Sequence, residues 1–233
     1  MMFAWNPSAP HLPDLAVMTW ALPISWALVL GVVTRGLALR LPNRWCWGLT
    51  WVVMVWTLSG GVWSPAYGLG LAFGSPSLMS AVLCVWALMR SWRGQPVGLI
   101  NPAIVGKATL ILTVTGVVLG WVLLFDTLAW WPQSVYAWGF GFAALAGITF
   151  VVLVVWMAGG NRPAGRRAVG LVALVLVLYV VTRLPTGNVW DALLDPWLWV
   201  ILQITVLHKW YRTCTERVQG GCANRKLAAL FER

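Results

Sequence analysis

Few side chains in this chain are placed to do chemistry. The two histidines are far apart: His11 precedes the first apolar segment and His208 ends the last. Neither has a second histidine three or four residues away, the spacing that starts a helical metal pair. The four cysteines are Cys46, Cys84, Cys214 and Cys222, and the last two are separated by seven residues. That spacing matches no common zinc site. Asp191 and Asp195 stand four residues apart beside Pro196. They could bind a cation, but the pattern favours capping of the helix that follows. Ser59 lies in the run LSGG, yet no neighbouring segment supplies the histidine a nucleophile needs as base. The turn GGNRPAGRR, Gly159 to Arg167, is basic but lacks the spacing of a phosphate-cradling loop. Lys209 sits at the end of the last apolar segment, not in its middle, where a retinal Schiff base needs it. No residue pattern assigns a cofactor.

The elements that would position any site are set by composition. The chain has 233 residues, 60% hydrophobic and 9% charged. Soluble domains are nearer half apolar and a quarter charged. So few charges cannot cover a water-soluble globule, which excludes soluble enzymes, disordered chains and disulfide scaffolds. An all-α, polytopic integral membrane protein is expected. About 20 apolar residues cross roughly 30 Å of hydrocarbon. Seven segments qualify as spans: Leu15–Thr34, Trp45–Val62, Ala66–Met89, Ala108–Phe125, Val135–Ala158, Ala168–Thr182 and Pro196–Leu207. Pro23 and Pro76 interrupt the first and third, and the last two are short. Continuous runs such as VGLVALVLVLYVV, Val169 to Val181, read as helices, since barrel strands alternate with period two.

Charge sets the orientation. With seven crossings, 15 of the 16 basic residues fall on one face and only Arg183 on the other. Basic loops are cytoplasmic. The N-terminus is therefore expected outside and the C-terminus in the cytoplasm, in a membrane taken to be the bacterial inner membrane. The chain divides into an outer leader (1–14), a seven-helix domain (15–207) and a basic cytoplasmic tail (208–233). The first segment is no cleaved signal, because Met1 to Asp14 carries no Lys or Arg. The net charge of +10 calls for anionic headgroups, not nucleic acid. Arg35, Arg40, Arg44, Arg90, Arg93, Arg162, Arg166 and Arg167 are the expected headgroup contacts.

Nineteen tryptophans, many near span ends, read as an aromatic belt. Three small-residue pairs, Gly70 with Gly74, Gly116 with Gly120, and Ala143 with Gly147, allow close helix packing. The Gly- and Pro-rich stretch Gly60 to Ser77 is a candidate re-entrant or surface-lying segment. Val97 to Lys107 reads as an interfacial stretch. In the tail, Gly220 and Gly221 are expected to interrupt any helix, with a short one resuming over Ala223–Phe231. No Asp, Glu, Lys, Arg or His lies near a predicted midplane, which disfavours proton- or ion-coupled transport. Gln203 and Tyr179 are the strongest polar candidates for a ligand or interhelical contact. The expectation is a non-catalytic integral membrane subunit or accessory protein. It would stabilise a larger assembly, with the lipid bilayer and other membrane subunits as partners. The alternative is a small transporter or channel for a neutral or lipid-like molecule.

Overall fold

A computed structural model describes residues 12–95, 107–130, 132, 134–159 and 163–231. His11, Arg162 and most of the expected interfacial stretch before Lys107 lie outside them. All regular structure among the described residues is helical. Seven helices have fifteen residues or more: α1 (Leu15–Leu37), α2 (Asn43–Leu58), α4 (Leu78–Trp92), α5 (Lys107–Thr127), α7 (Phe142–Gly159), α8 (Pro163–Thr182) and α10 (Pro196–Phe231). Three short α-helices intervene, α3 (Pro65–Phe73), α6 (Val135–Trp138) and α9 (Val189–Leu193), and a 3-10 turn, Ala38–Arg40, extends α1. Among the described residues, Leu15–Arg40, Ala108–Thr127 and Gly165–Thr182 are long and apolar enough to cross a membrane. The helices Leu78–Trp92 and Phe142–Ala158 are apolar but shorter. The chain is thus an all-helical protein with the long apolar helices of a multi-pass membrane protein.

Small polar residues set where the helices begin. Asp14, Ser64, Ser77, Ser134 and Asn188 each accept a bond from a backbone N–H of the first turn of α1, α3, α4, α6 and α9. Pro65, Pro163 and Pro196 open α3, α8 and α10, where a missing N–H costs nothing. Hydroxyls inside the helices bond to the carbonyl one turn back: Thr50 to Cys46, Thr57 to Val53, Thr113 to Thr109 and Thr205 to Ile201, each at 2.7 Å.

Two expected segments are broken. Residues Ala66–Met89 form α3 and α4, with the break at Gly74–Ser77. Gly74 has φ +73° and ψ −153°, a conformation essentially reserved for glycine. Ser77, itself extended at ψ 155°, then caps the restarted helix. Val135–Ala158 is likewise divided, into α6 and α7, with Gly139 and Gly141 between them. The last two segments are longer than their apolar cores, because α8 and α10 extend into their polar flanks. Gly220 and Gly221 do not stop α10. Glycine weakens a helix interior by about 1 kcal/mol but does not end it without a left-handed cap. At 36 residues, α10 is about 54 Å long.

Helix α1 packs against α2 and α4, α4 against α8, α8 against α5 and α7, and α5 against α10. One cluster of buried apolar residues joins α5, α7, α8 and α9 around Tyr179, Val155 and Val189. A second joins α1 to α4 through Val32, Cys84 and Ala87. The starts of α4 and α10 meet through Asp195. The end of α1, the start of α2 and the end of α4 meet through Arg35.

Candidate functional site

The most connected polar group is Asp195, the residue before α10. It is 9% exposed and it caps that helix, accepting from the Leu198 N–H at 2.7 Å. Its other oxygen crosses to the break between α3 and α4. There it accepts from the Ser77 N–H at 3.0 Å, from the Ser77 hydroxyl at 2.8 Å and from the Ser80 hydroxyl. One carboxylate thus sits at the N-termini of two helices, where the dipoles favour negative charge. The arrangement holds a joint: three of the bonds fall on Oδ2 and one on Oδ1. The sequence marks Asp195 as a cap, but nothing in it points 118 residues back to Ser77.

Indole groups secure the same region. Trp26 in α1 donates to the Gly74 carbonyl at 2.9 Å, an acceptor freed where α3 ends. Its ring approaches Phe73, which meets Trp197 edge-on at 5.2 Å. Trp199 donates to the Val117 carbonyl of α5 at 3.1 Å. These tryptophans staple helices together. Others, such as Trp63 and Trp92, are exposed.

Asp191 takes different partners from Asp195, so the two do not form a cation pair. It accepts from the Tyr136 hydroxyl at 2.6 Å and from Thr186. Asp126 accepts from the N–H groups of Val135 and Tyr136 and from the Ser134 hydroxyl. Asn188 donates to the Tyr136 carbonyl at 3.0 Å, and Trp190 to that of Val135 at 3.1 Å. The loop after α5 is thereby tied to the loop after α8. Tyr179 is fully buried and donates to the Gly187 carbonyl at 2.6 Å, which fixes the turn after its own helix. Gln203 is half-buried on α10, and its side chain has no hydrogen bond among the described residues.

The small-residue pairs fall into three environments. Gly116 and Gly120 face α10. A Cβ on Gly116 would lie 2.8 Å from Leu202 Cδ1, and one on Gly120 2.2 Å from Trp199 Cδ1. Gly70 faces Leu22 of α1, whereas Gly74 has open space and serves the chain break instead. Ala143 and Gly147 are exposed on α7, and Gly147 meets nothing within 4 Å.

Arg40, Arg44, Arg93, Arg166 and Arg167 are exposed, and Arg90 is half-buried. Arg35 differs: it is 8% exposed, with protein on most of its surface. Its position in the last turn of α1 turns it toward α2 and α4, which sequence counting could not reveal.

Beside the Asp195 joint lies an open cavity of about 510 Å³. Trp20, Ile24, Pro76, Leu78, Leu184 and Pro185 are among its mainly apolar walls. Its three serines are already engaged: Ser25 bonds to the Ala21 and Leu22 carbonyls, Ser75 to the Pro76 carbonyl, and Ser77 to Asp195. Among the described residues no three His, Cys, Asp or Glu side chains are grouped to hold a metal. No family model, curated protein or solved structure matches the chain.

Proposed function

We propose that this is a seven-span membrane subunit that acts by packing against another membrane protein, without chemistry of its own. The N-terminus is outside and the C-terminus cytoplasmic, in a bacterial inner membrane. Two groupings support this topology. The bonds of Arg35 gather the basic turns near Arg44 and Arg90 at one end, and Asp126, Asp191 and Asn188 are tied together elsewhere.

The observation that carries the subunit reading is the outward face of α7. Ala143, Gly147, Phe150, Val154 and Met157 follow helical spacing and are all exposed, Phe150 at 67% and Met157 at 81%. The small residues form a notch and the large ones flank it, the relief that lets a second helix approach closely. The opposite face, with Val152 and Val155, is buried in the core. A photo-crosslinking residue at Gly147, activated in native membranes, is expected to give one discrete protein adduct. The same residue at Val177, an exposed site on α8, should give a lipid background only. Lipid adducts alone at Gly147 would contradict the reading.

A second reading rests on the cavity at the helix break, whose apolar walls and volume suit a neutral or lipid-like molecule. The protein would then be a small carrier or channel. Uptake or lipid flipping in reconstituted vesicles, above that of empty vesicles, distinguishes it.

A further inference from the structure

The cavity beside the Asp195 joint is walled by three separate pieces of chain. Val17 and Ile24 come from α1, Pro76 and Leu78 from the helix break and the start of α4, and Leu184 and Pro185 from the turn after α8. No charged side chain is among the walls. Each wall serine has given its one hydroxyl hydrogen to an acceptor inside the protein. Trp20 differs. It lines the cavity, is 69% exposed, and its indole N–H makes no hydrogen bond among the described residues. Trp26, Trp190 and Trp199 spend theirs on backbone carbonyls. The wall side chains therefore offer apolar contact on three sides, no charge and one unspent donor.

These features select the occupant. A charged or many-hydroxylated solute would shed its water and find no partners here. An extended peptide would strand its backbone N–H and C=O groups in the same way. A partner helix is too large. One helical turn, roughly 10 Å across and 5.4 Å high, fills about 420 Å³. A cavity of about 510 Å³ takes little more than that. A hydrocarbon chain asks for none of these bonds, and a single acceptor at its end matches the single donor.

We propose that the cavity binds one acyl chain of a membrane phospholipid, with the ester carbonyl accepting from the Trp20 N–H. The inference rests on the reading of this cavity as a lipid site, names the part of the lipid it takes, and does not require transport. Lipid tails outside are as apolar as the walls, so transfer of the chain drives little by itself. Contact on three sides and the Trp20 bond hold the lipid, and the headgroup is not selected.

The test uses the full chain in neutral detergent. It is given phosphatidylcholine, phosphatidylglycerol, or a diether phosphatidylcholine whose chains carry no carbonyl. Retained lipid is counted by native mass spectrometry. One ester lipid per chain is expected, with the two headgroups equal. The diether lipid is expected to be retained about fivefold less, the effect of one hydrogen bond. Trp20→Phe keeps a ring and loses the N–H. It should lower the ester lipid to the diether level and leave the diether level unchanged. Ile24→Trp and Ala81→Phe fill the cavity from α1 and from α4 without removing a polar group, and each should abolish retention of both lipids. Unchanged retention in either folded filling variant overturns the proposal. So does a headgroup preference, or a Trp20→Phe protein that separates the two linkages as wild type does. Trp20 and Ile24 are exposed positions, so their variants carry the test if Ala81→Phe does not fold. One retained lipid without flipping in vesicles would refute the carrier and support this inference, whereas flipping without a retained lipid would overturn this inference alone.

Discussion

Asp195→Ala is expected to destabilise the helical bundle by about 3 kcal/mol, the sum of a lost helix cap and of buried bonds to a charged acceptor. Leu198, Ser77 and Ser80 would all lose their acceptor in a region where water is scarce. The Ser77 N–H has no other described partner, so the start of α4 is left unsatisfied. The detergent-solubilised full chain should melt about 10 °C lower, read from its helical circular dichroism. Asp195→Asn is expected to fall between, since an amide oxygen still caps α10 but the amide nitrogen meets donors at Ser77 and Ser80. Ser80→Ala removes one bond and should cost about 1 kcal/mol. Asp195→Ala melting with wild type would mean that the joint does not hold the break.

The second large effect is steric. Gly120→Ala places a methyl group 2.2 Å from the Trp199 ring carbon Cδ1 and 2.3 Å from its nitrogen. The ring cannot step aside freely, because that nitrogen is bonded to the Val117 carbonyl and the ring packs edge-on against Trp121 at 5.2 Å. Either α10 moves away from α5 or the indole leaves its site. Overpacking of this kind costs about 2 kcal/mol. Gly116→Ala meets only the flexible end of Leu202 and should cost less. Gly147→Ala meets nothing and, by helix propensity, should be neutral or stabilising in the isolated chain by up to about 1 kcal/mol. Melting temperatures should therefore rank Gly120→Ala below Gly116→Ala and both below Gly147→Ala. Adding Trp199→Ala to Gly120→Ala should cost less than the two single changes together, the mark of a shared contact. Equal melting for all three glycine variants would contradict the close approach of α5 and α10.

The sequence is most informative where one physical property acts alone. Hydropathy and continuous apolar runs are sufficient to read an all-helical chain with long apolar segments, because lipid demands both at once. Helix ends are partly legible: Ser77 and Asp195 are cap residues before apolar runs, and the Pro76 and Gly74 neighbourhood stands out as irregular. What is lost is anything that needs the third dimension. Nothing local in the sequence distinguishes Arg35 from Arg40 or Arg44, yet α1 turns Arg35 inward onto Ser91, while Arg40, beyond α1, and Arg44, on α2, are exposed. The Gly70–Gly74 spacing resembles that of Gly116–Gly120. Only the second pair faces one partner helix, because Gly74 is needed for its backbone angles. Trp26, Trp190 and Trp199 are the same residue type as the exposed tryptophans, and only a carbonyl within reach makes them staples.

The account depends most on the segregation of the cationic side chains to one side of a membrane by seven crossings. Impermeant maleimide labelling of single-cysteine variants, in a background lacking Cys46, Cys84, Cys214 and Cys222, tests this directly. Arg93→Cys and Arg167→Cys should be labelled in inside-out vesicles and protected in sealed right-side-out ones. Trp63→Cys and Trp130→Cys should show the reverse. Labelling of Arg93→Cys and Arg167→Cys from opposite sides would contradict the seven-span arrangement and the sidedness built on it.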